Sequence, residues 1–286
     1  MVFIHLINAL LMVVIPLSFA FLVISKKKMG WRLWLIGGSA FFISQLGHIP
    51  FNYFFGLFLN KTDLIYLPRT QQILFNACYL GLSAGLWEET CRYLMYRWWT
   101  QDSRSWQKGI LLGLGHGGFE SILLGLLAIY TLFQMMALKN VDISTMVQPG
   151  KLSETIKAVS MYWSMPWYKT LLGSLERTLV IPIQIALSIL VLQAFSKGRL
   201  VWFFIAIFFH AIVDATAVML ISFSNIYITE LMVGLFSLIS IFIIFSLRSS
   251  DISTSYNKVK SNNENRMIVL NEMDESNENL DATIYQ

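Results

Sequence analysis

Four places in the chain set ionisable side chains inside long apolar runs: Glu88-Glu89-x-x-Arg92, His116-x-x-x-Glu120, Glu176-Arg177 with Gln184 further along, and His210-x-x-x-Asp214. Residues four apart share a helix face. Glu88 with Arg92, His116 with Glu120, and His210 with Asp214 therefore each present two polar groups in one direction. A charge held in hydrocarbon costs about 2.5–3.5 kcal/mol on insertion scales, so such residues mark sites or pathways. Carboxylates, imidazoles and an arginine held on shared faces suit proton transfer and the stabilisation of a developing charge. Adjacent carboxylates cannot both stay ionised in an apolar medium unaided, which gives Arg92 a partner in the Glu88-Glu89 pair.

The elements carrying these residues are set by composition. Of the 286 residues, 56% are hydrophobic and only 13% charged, with a mean hydropathy of +0.59. Soluble domains carry about a quarter charged residues, so the solvent this chain is written for is lipid. The net charge of +4 is small and its basic residues lie between apolar runs, which excludes a nucleic-acid-binding stripe. The two cysteines, Cys78 and Cys91, fall in one apolar run and read as reduced packing residues, too few for a disulfide framework.

A bilayer core needs about 20 apolar residues per helix. Seven stretches have that length, near 3–24, 33–59, 72–97, 109–138, 167–195, 200–221 and 226–247. The first has no basic segment before it and is followed by Lys26–Lys28, so it reads as an uncleaved span with its N-terminus outside. The inner loops then hold Lys26–Lys28, Arg32, Arg104, Lys108, Lys197 and Arg199 within a short total length. The longer outer loops hold Lys61, Arg69, Lys139, Lys151, Lys157 and Lys169. This is the positive-inside pattern. Trp98, Trp99, Trp163 and Trp167 fall near the expected interfaces, and Met161–Trp167 is expected to lie along the outer one. The expected fold is all-α and polytopic: seven spans, N-out and C-in, as one transmembrane domain over 1–248. The polar remainder, 249–286, is too poor in apolar residues to bury a core and is expected to be disordered.

Depth ties the polar residues together. At about 1.5 Å per residue, counting from the inner ends of the spans puts His116 roughly 11 Å deep, Glu88 14 Å, His210 15 Å and Gln184 17 Å. Glu120 and Asp214 come one turn deeper than their histidines. Four helices thus offer polar groups to one plane, expected to form a single buried site in the cytoplasmic half. Glu176 and Arg177 fall nearer the outer end and read as a local ion pair or second patch. Gly81 and Gly85, and Gly109, Gly113 and Gly117, form small-xxx-small faces that are expected to pack the third and fourth spans together. His48, before Pro50, reads as a kink or packing residue.

These residues resemble the CAAX-protease and bacteriocin-processing superfamily of intramembrane peptidases. Within it, Ala84-Gly85-x-x-Glu88-Glu89-x-x-Arg92, Gly115-His116-Gly117-Gly118-x-Glu120 and Glu176-Arg177 look most like the YhfC-type branch of membrane metalloproteases. The resemblance spans roughly 80–215. It implies an integral protein of a bacterial cell membrane whose active centre is Glu88, Glu89, Arg92, His116, Glu120, His210 and Asp214. It also implies a histidine on the fifth span where this chain has Gln184, which hydrogen-bonds but ligates metals poorly.

On this reading Glu88 is the general base, with Glu89 second, and Arg92 neutralises or orients one of them. His116 and His210 either bind zinc with a carboxylate, Asp214, or act as neutral donors in a metal-free glutamate mechanism; no His-Glu-x-x-His signature decides. Asp214 and Glu120 also read as groups that orient their histidines. The expected partners are the bilayer and a membrane-embedded or lipid-modified peptide or protein substrate. Two rivals are a catalytically silent peptide-binding scaffold or immunity-type protein, which Gln184 favours, and a proton-coupled transporter. The absence of an internal repeat disfavours the transporter.

Overall fold

The computed structural model describes residues 1–59, 61, 62, 66–139 and 141–248; the tail expected at 249–286 lies outside the described residues. The described chain is helical without strands. Its long helices are α1 (Val2–Lys27), α2 (Arg32–Leu59), α3 (Arg69–Leu94), α4 (Trp106–Lys139), α7 (Leu172–Ser196), α8 (Val201–Phe223) and α9 (Ile226–Ser246). They match the seven apolar stretches of the sequence to within a few residues. Between α4 and α7 lie α5 (Pro149–Ser164) and the single turn α6 (Trp167–Thr170). The sequence reading treats 139–166 as a loop and does not expect α5, whose charges at Lys151, Glu154 and Lys157 make it too polar to span.

Among the described residues five segments are long and apolar enough to cross a membrane: α1, α4, α6 with α7, α8 and α9. The other two, α2 and α3, have the length but carry Ser44, Gln45, His48 and Asn52, and Glu88, Glu89 and Arg92. Outward-facing apolar side chains such as Leu46 (76% exposed) and Phe242 (71%) leave a surface suited only to lipid.

The most enclosed element is α7. Two-thirds (67%) of its most apolar window is buried, against 17–28% in the other four spans, so it forms the axis of the bundle. It packs on α4, α9, α8 and α1, with Leu187, Ile189 and Val191 fully enclosed. Around this axis α4 lies against α1 and α2, and α3 lies against α8 and α2.

This arrangement corrects the expected pairing of the third and fourth spans. Gly85 of α3 faces α8, where an added Cβ would come within 2.6 Å of the Ile207 carbonyl oxygen. Gly117 of α4 faces α7, where a Cβ would meet Gln184 Cβ at 2.8 Å. The small faces are real, but each serves a different neighbour. A glycine stripe tells how closely a helix is approached, and nothing about by which helix.

One end of the bundle is basic. Arg32 pairs with Asp102 at 3.3 Å, the Trp106 indole N–H bonds the Ile244 carbonyl at 2.8 Å, and Arg104 stands 4.4 Å over the Phe195 ring. At the opposite end the Ser174 N–H bonds Asn8 Oδ1 at 2.8 Å, and His5 stacks on Tyr162 with ring centroids 4.1 Å apart.

Candidate active site

The centre of the polar layer is the last third of α3. Successive residues on a helix point about 100° apart, as the 3.6-residue turn requires, so Glu88 and Glu89 serve different neighbours. Glu89, fully buried, is held by Arg92 one turn on, whose Nη1 donates to both carboxylate oxygens at 2.8 and 2.9 Å. Glu88, about 100° round the helix, meets α2 and α4 and also approaches α8. Just beyond Arg92 the helix widens into a π turn over Met95–Trp99, a distortion frequent beside functional sites.

Two histidines converge on this pair. His116 of α4, 1% exposed, sets Nε2 3.1 Å from Glu88 Oε2. His210 of α8 sets Nδ1 2.8 Å from Glu89 Oε1 and Nε2 3.8 Å from Glu88 Oε2. Asp214, one turn along α8 and half-buried, places Oδ2 3.6 Å from His210 Nε2. Glu88 Oε2 therefore stands between two imidazoles from different helices. The close α3–α8 contact allowed by Gly85 is what brings His210 within reach.

The layer reaches through Gln184 and Glu120 to Arg177 and Glu176, the pair that the sequence reading sets apart. Gln184 of α7 accepts at Oε1 from Arg92 Nη2 at 2.6 Å and donates from Nε2 to Glu120 Oε2 at 2.9 Å. Glu120 in turn accepts from Arg177 Nη1 at 2.6 Å, and Arg177 also pairs with Glu176. Two expectations change. Glu120 shares a face with His116 by spacing, yet its bonded partners are Arg177 and Gln184. The pair Glu176-Arg177 is a local ion pair as expected, but it is joined to the centre through Glu120 and Gln184. The gap in depth along α7 is bridged because the arginine is long and the amide has one acceptor and one donor to offer.

Other members have no charge to betray them. Gln45 of α2 donates from Nε2 to Glu88 Oε1 at 3.1 Å. A second polar seam joins α2 to α3: His48 Nε2 lies 2.8 Å from Asn52 Nδ2 and 3.1 Å from Ser83 Oγ, while the Tyr79 and Ser83 hydroxyls donate to Asn52 Oδ1 at 2.7 and 2.9 Å. His48 is thus a hydrogen-bonded seam residue. Glu230 of α9, which the sequence reading does not single out, is 8% exposed and keeps Oε2 without a partner.

Comparison with known proteins bears on this arrangement. The profile of the YhfC intramembrane metalloprotease family matches residues 10–237, from α1 into α9. This chain belongs to that family. The uncharacterized membrane protein YhfC of Bacillus subtilis (strain 168) is 29% identical over 201 residues, covering 68% of this chain and 76% of the relative. No solved structure matches. The YhfC match covers every helix that contributes to the polar layer.

The family description implies a metal. Among the described residues no group of three or more His, Cys, Asp or Glu side chains is ready to hold one. The donor chemistry nonetheless fits. With Nδ1 donating to Glu89, a neutral His210 would keep its Nε2 lone pair for a ligand, the orientation common in metal-binding histidines. Two imidazoles and a carboxylate are also the ligand count of a catalytic zinc. Beside them His116 Nδ1 is buried without a partner, an unsatisfied group of the kind that an ion, water or substrate supplies.

Proposed function

We propose that this YhfC-family chain is an intramembrane peptidase that hydrolyses a peptide bond of a membrane-embedded or lipid-modified substrate at the Glu88 cluster, near the cytoplasmic leaflet. The observation that carries this reading is Glu88 Oε2 lying 3.1 Å from His116 Nε2 and 3.8 Å from His210 Nε2, where α2, α3, α4 and α8 meet. A carboxylate buried against two imidazoles is a costly arrangement that packing alone does not require.

In this mechanism Glu88 takes a proton from water as the water oxygen bonds to the scissile carbonyl carbon. As the C–N bond breaks, Glu88 returns that proton to the departing amine nitrogen. Gln45 holds the other Glu88 oxygen, so that Oε2 is the one left to act. The charge of Glu89 is matched by Arg92, and Glu89 fixes the His210 ring through Nδ1. Gln184 and Glu120 hold Arg92 in place from the far side. His116, His210 and Asp214 are the residues that would hold zinc, which when bound polarises the substrate carbonyl and lowers the pKa of its water. Without it a doubly protonated His210, with Nδ1–H on Glu89, would present Nε2–H to the oxyanion.

The test is cleavage of a panel of transmembrane peptides by the full chain in lipid vesicles, wild type against Glu88→Gln. Loss of a general base lowers turnover by about 10²–10⁴-fold, and E88Q is expected to fall in that range with its helix content unchanged. Equal cleavage by the variant overturns the assignment. Peptide binding by both proteins with cleavage by neither identifies the silent scaffold. Metal content of the purified protein separates the two forms of the mechanism: near-stoichiometric zinc, lost in His116→Ala and in His210→Ala, is the expected result.

A further inference from the structure

The basic end of the bundle contains a cavity that the polar layer does not use. It measures about 350 Å³ and opens between the end of α1, the start of α4 and the end of α9. Its floor is apolar, with Leu22, Ile110 and the Trp106 ring, and its rim carries Lys26, Lys27 and Arg248. Trp106 is fixed by its indole bond to the Ile244 carbonyl, and the Arg248 guanidinium stands 5.3 Å from the Trp106 ring centroid. Among the described residues the lysine and arginine ion pairs are Arg32–Asp102, Arg92–Glu89, Arg177–Glu120 and Arg177–Glu176. The three rim cations have no carboxylate partner there. A second, more open cavity of about 600 Å³ borders the first at Leu22 and continues up α1 past Leu17 to Val14.

We infer that this cavity is a binding site for an anionic phospholipid. The phosphate sits among Lys26, Lys27 and Arg248, and the acyl chains run into the two apolar grooves that meet at Leu22. Charge complementarity chooses the occupant. Three unpaired cations around an apolar hollow repel a cationic guest, offer an uncharged one no charge to match, and attract a molecule with a negative head and long hydrocarbon chains. From Lys26 to Val14 the grooves follow three turns of α1, about 18 Å at 1.5 Å per residue, a length suited to an acyl chain. The site is separate from the Glu88 cluster and does not depend on peptidase activity.

The experiment reconstitutes the full chain in vesicles of phosphatidylcholine and phosphatidylglycerol at 3:1, extracts it gently, and counts retained lipids by native mass spectrometry. Each cation near an anionic headgroup is worth about a five-fold preference. Wild type is expected to retain one phosphatidylglycerol per chain, enriched at least five-fold over its share of the vesicle. The combined variant Lys26→Gln, Lys27→Gln, Arg248→Gln is expected to lose the enrichment. Neutralising Lys151, Lys157 and Lys169 at the other end leaves it intact. Ile110→Trp fills the apolar floor without touching a charge, and is expected to lower retention as well. No enrichment in wild type, or enrichment that survives the rim substitutions in folded protein, overturns the proposal. Displacement by 10 mM inorganic phosphate alone would make the occupant a free anion. Retention that rises several-fold when the chain is ended at Arg248 would make the acidic tail the occupant.

Discussion

Gln184 stands where the sequence resemblance implies a histidine, and its hydrogen bonds give it a structural role. Its amide accepts from Arg92 and donates to Glu120, so one neutral residue joins the cation beside Glu89 to the anion beside Arg177. Gln184→Leu keeps the volume and removes both bonds. Each buried group left unpaired costs about 1–3 kcal/mol, so the melting midpoint of the purified protein should fall by several degrees. Gln184→His, which keeps one donor and one acceptor, should recover part of that loss; an unchanged midpoint in Q184L would show that the bridge contributes nothing to stability. The residues legible in the sequence are those for which hydrocarbon is most hostile. Glu88, Glu89, Arg92, His116, His210 and Asp214 stand out because each needs a reason to be there. Gln45 and Ser83 are equally well placed, yet neutral polar residues are tolerated in spans and carry no comparable signal. Their partners lie on other helices, beyond the reach of any spacing rule. Glu230 escapes notice for another reason: it sits only about one turn in from the start of α9, at the edge of the apolar run.

At the scale of elements, the active layer depends on how closely α3 and α8 approach. The Glu89–His210 contact of 2.8 Å crosses the same interface that Gly81 and Gly85 keep narrow. Gly85→Val would set a branched side chain against the Ile207 carbonyl and force the helices apart. Overpacking of this kind costs about 1–3 kcal/mol. The variant is therefore expected to melt earlier and to cleave more slowly, because His210 withdraws from both glutamates. Gly30→Val, at a position with nothing within 4 Å of an added Cβ, is the control. Full activity in G85V would break the link between helix approach and the site. The helices themselves are legible because about 20 apolar residues in a row admit few other structures, whereas their neighbours are not. The stripe on α3 is consistent with α4 or α8 until the bundle is seen. A different limit applies to α5. One of its ties to the rest is aromatic, Tyr162 and Trp163 meeting His5 at the tip of α1, and a contact 157 residues away in sequence leaves no periodic trace.

For the whole molecule the open question is direction across the bilayer, and the distribution of charge answers it as a proposal. Lys26–Lys28, Arg32, Arg104, Lys108, Lys197 and Arg199 belong to helix ends that meet at one side of the bundle, which also holds Arg248. We propose that this side is cytoplasmic, with the N-terminus outside, since basic loops are retained on the inner face. The test starts from a chain with Cys78 and Cys91 replaced by serine. Lys27→Cys, Arg104→Cys, Lys151→Cys and Lys157→Cys are then introduced one at a time. A maleimide that does not cross membranes should label positions 151 and 157 in intact cells, and positions 27 and 104 only after permeabilisation. The reverse pattern would turn the molecule over, and the consequences would not be confined to topology. The Glu88 cluster lies in the half of α3 nearer the basic end, so the same result would move the reaction to the outer leaflet. The lipid held by Lys26, Lys27 and Arg248 would then be drawn from the outer leaflet too. Orientation thus fixes from which side both substrate and lipid arrive, and one labelling series decides it for the two sites together.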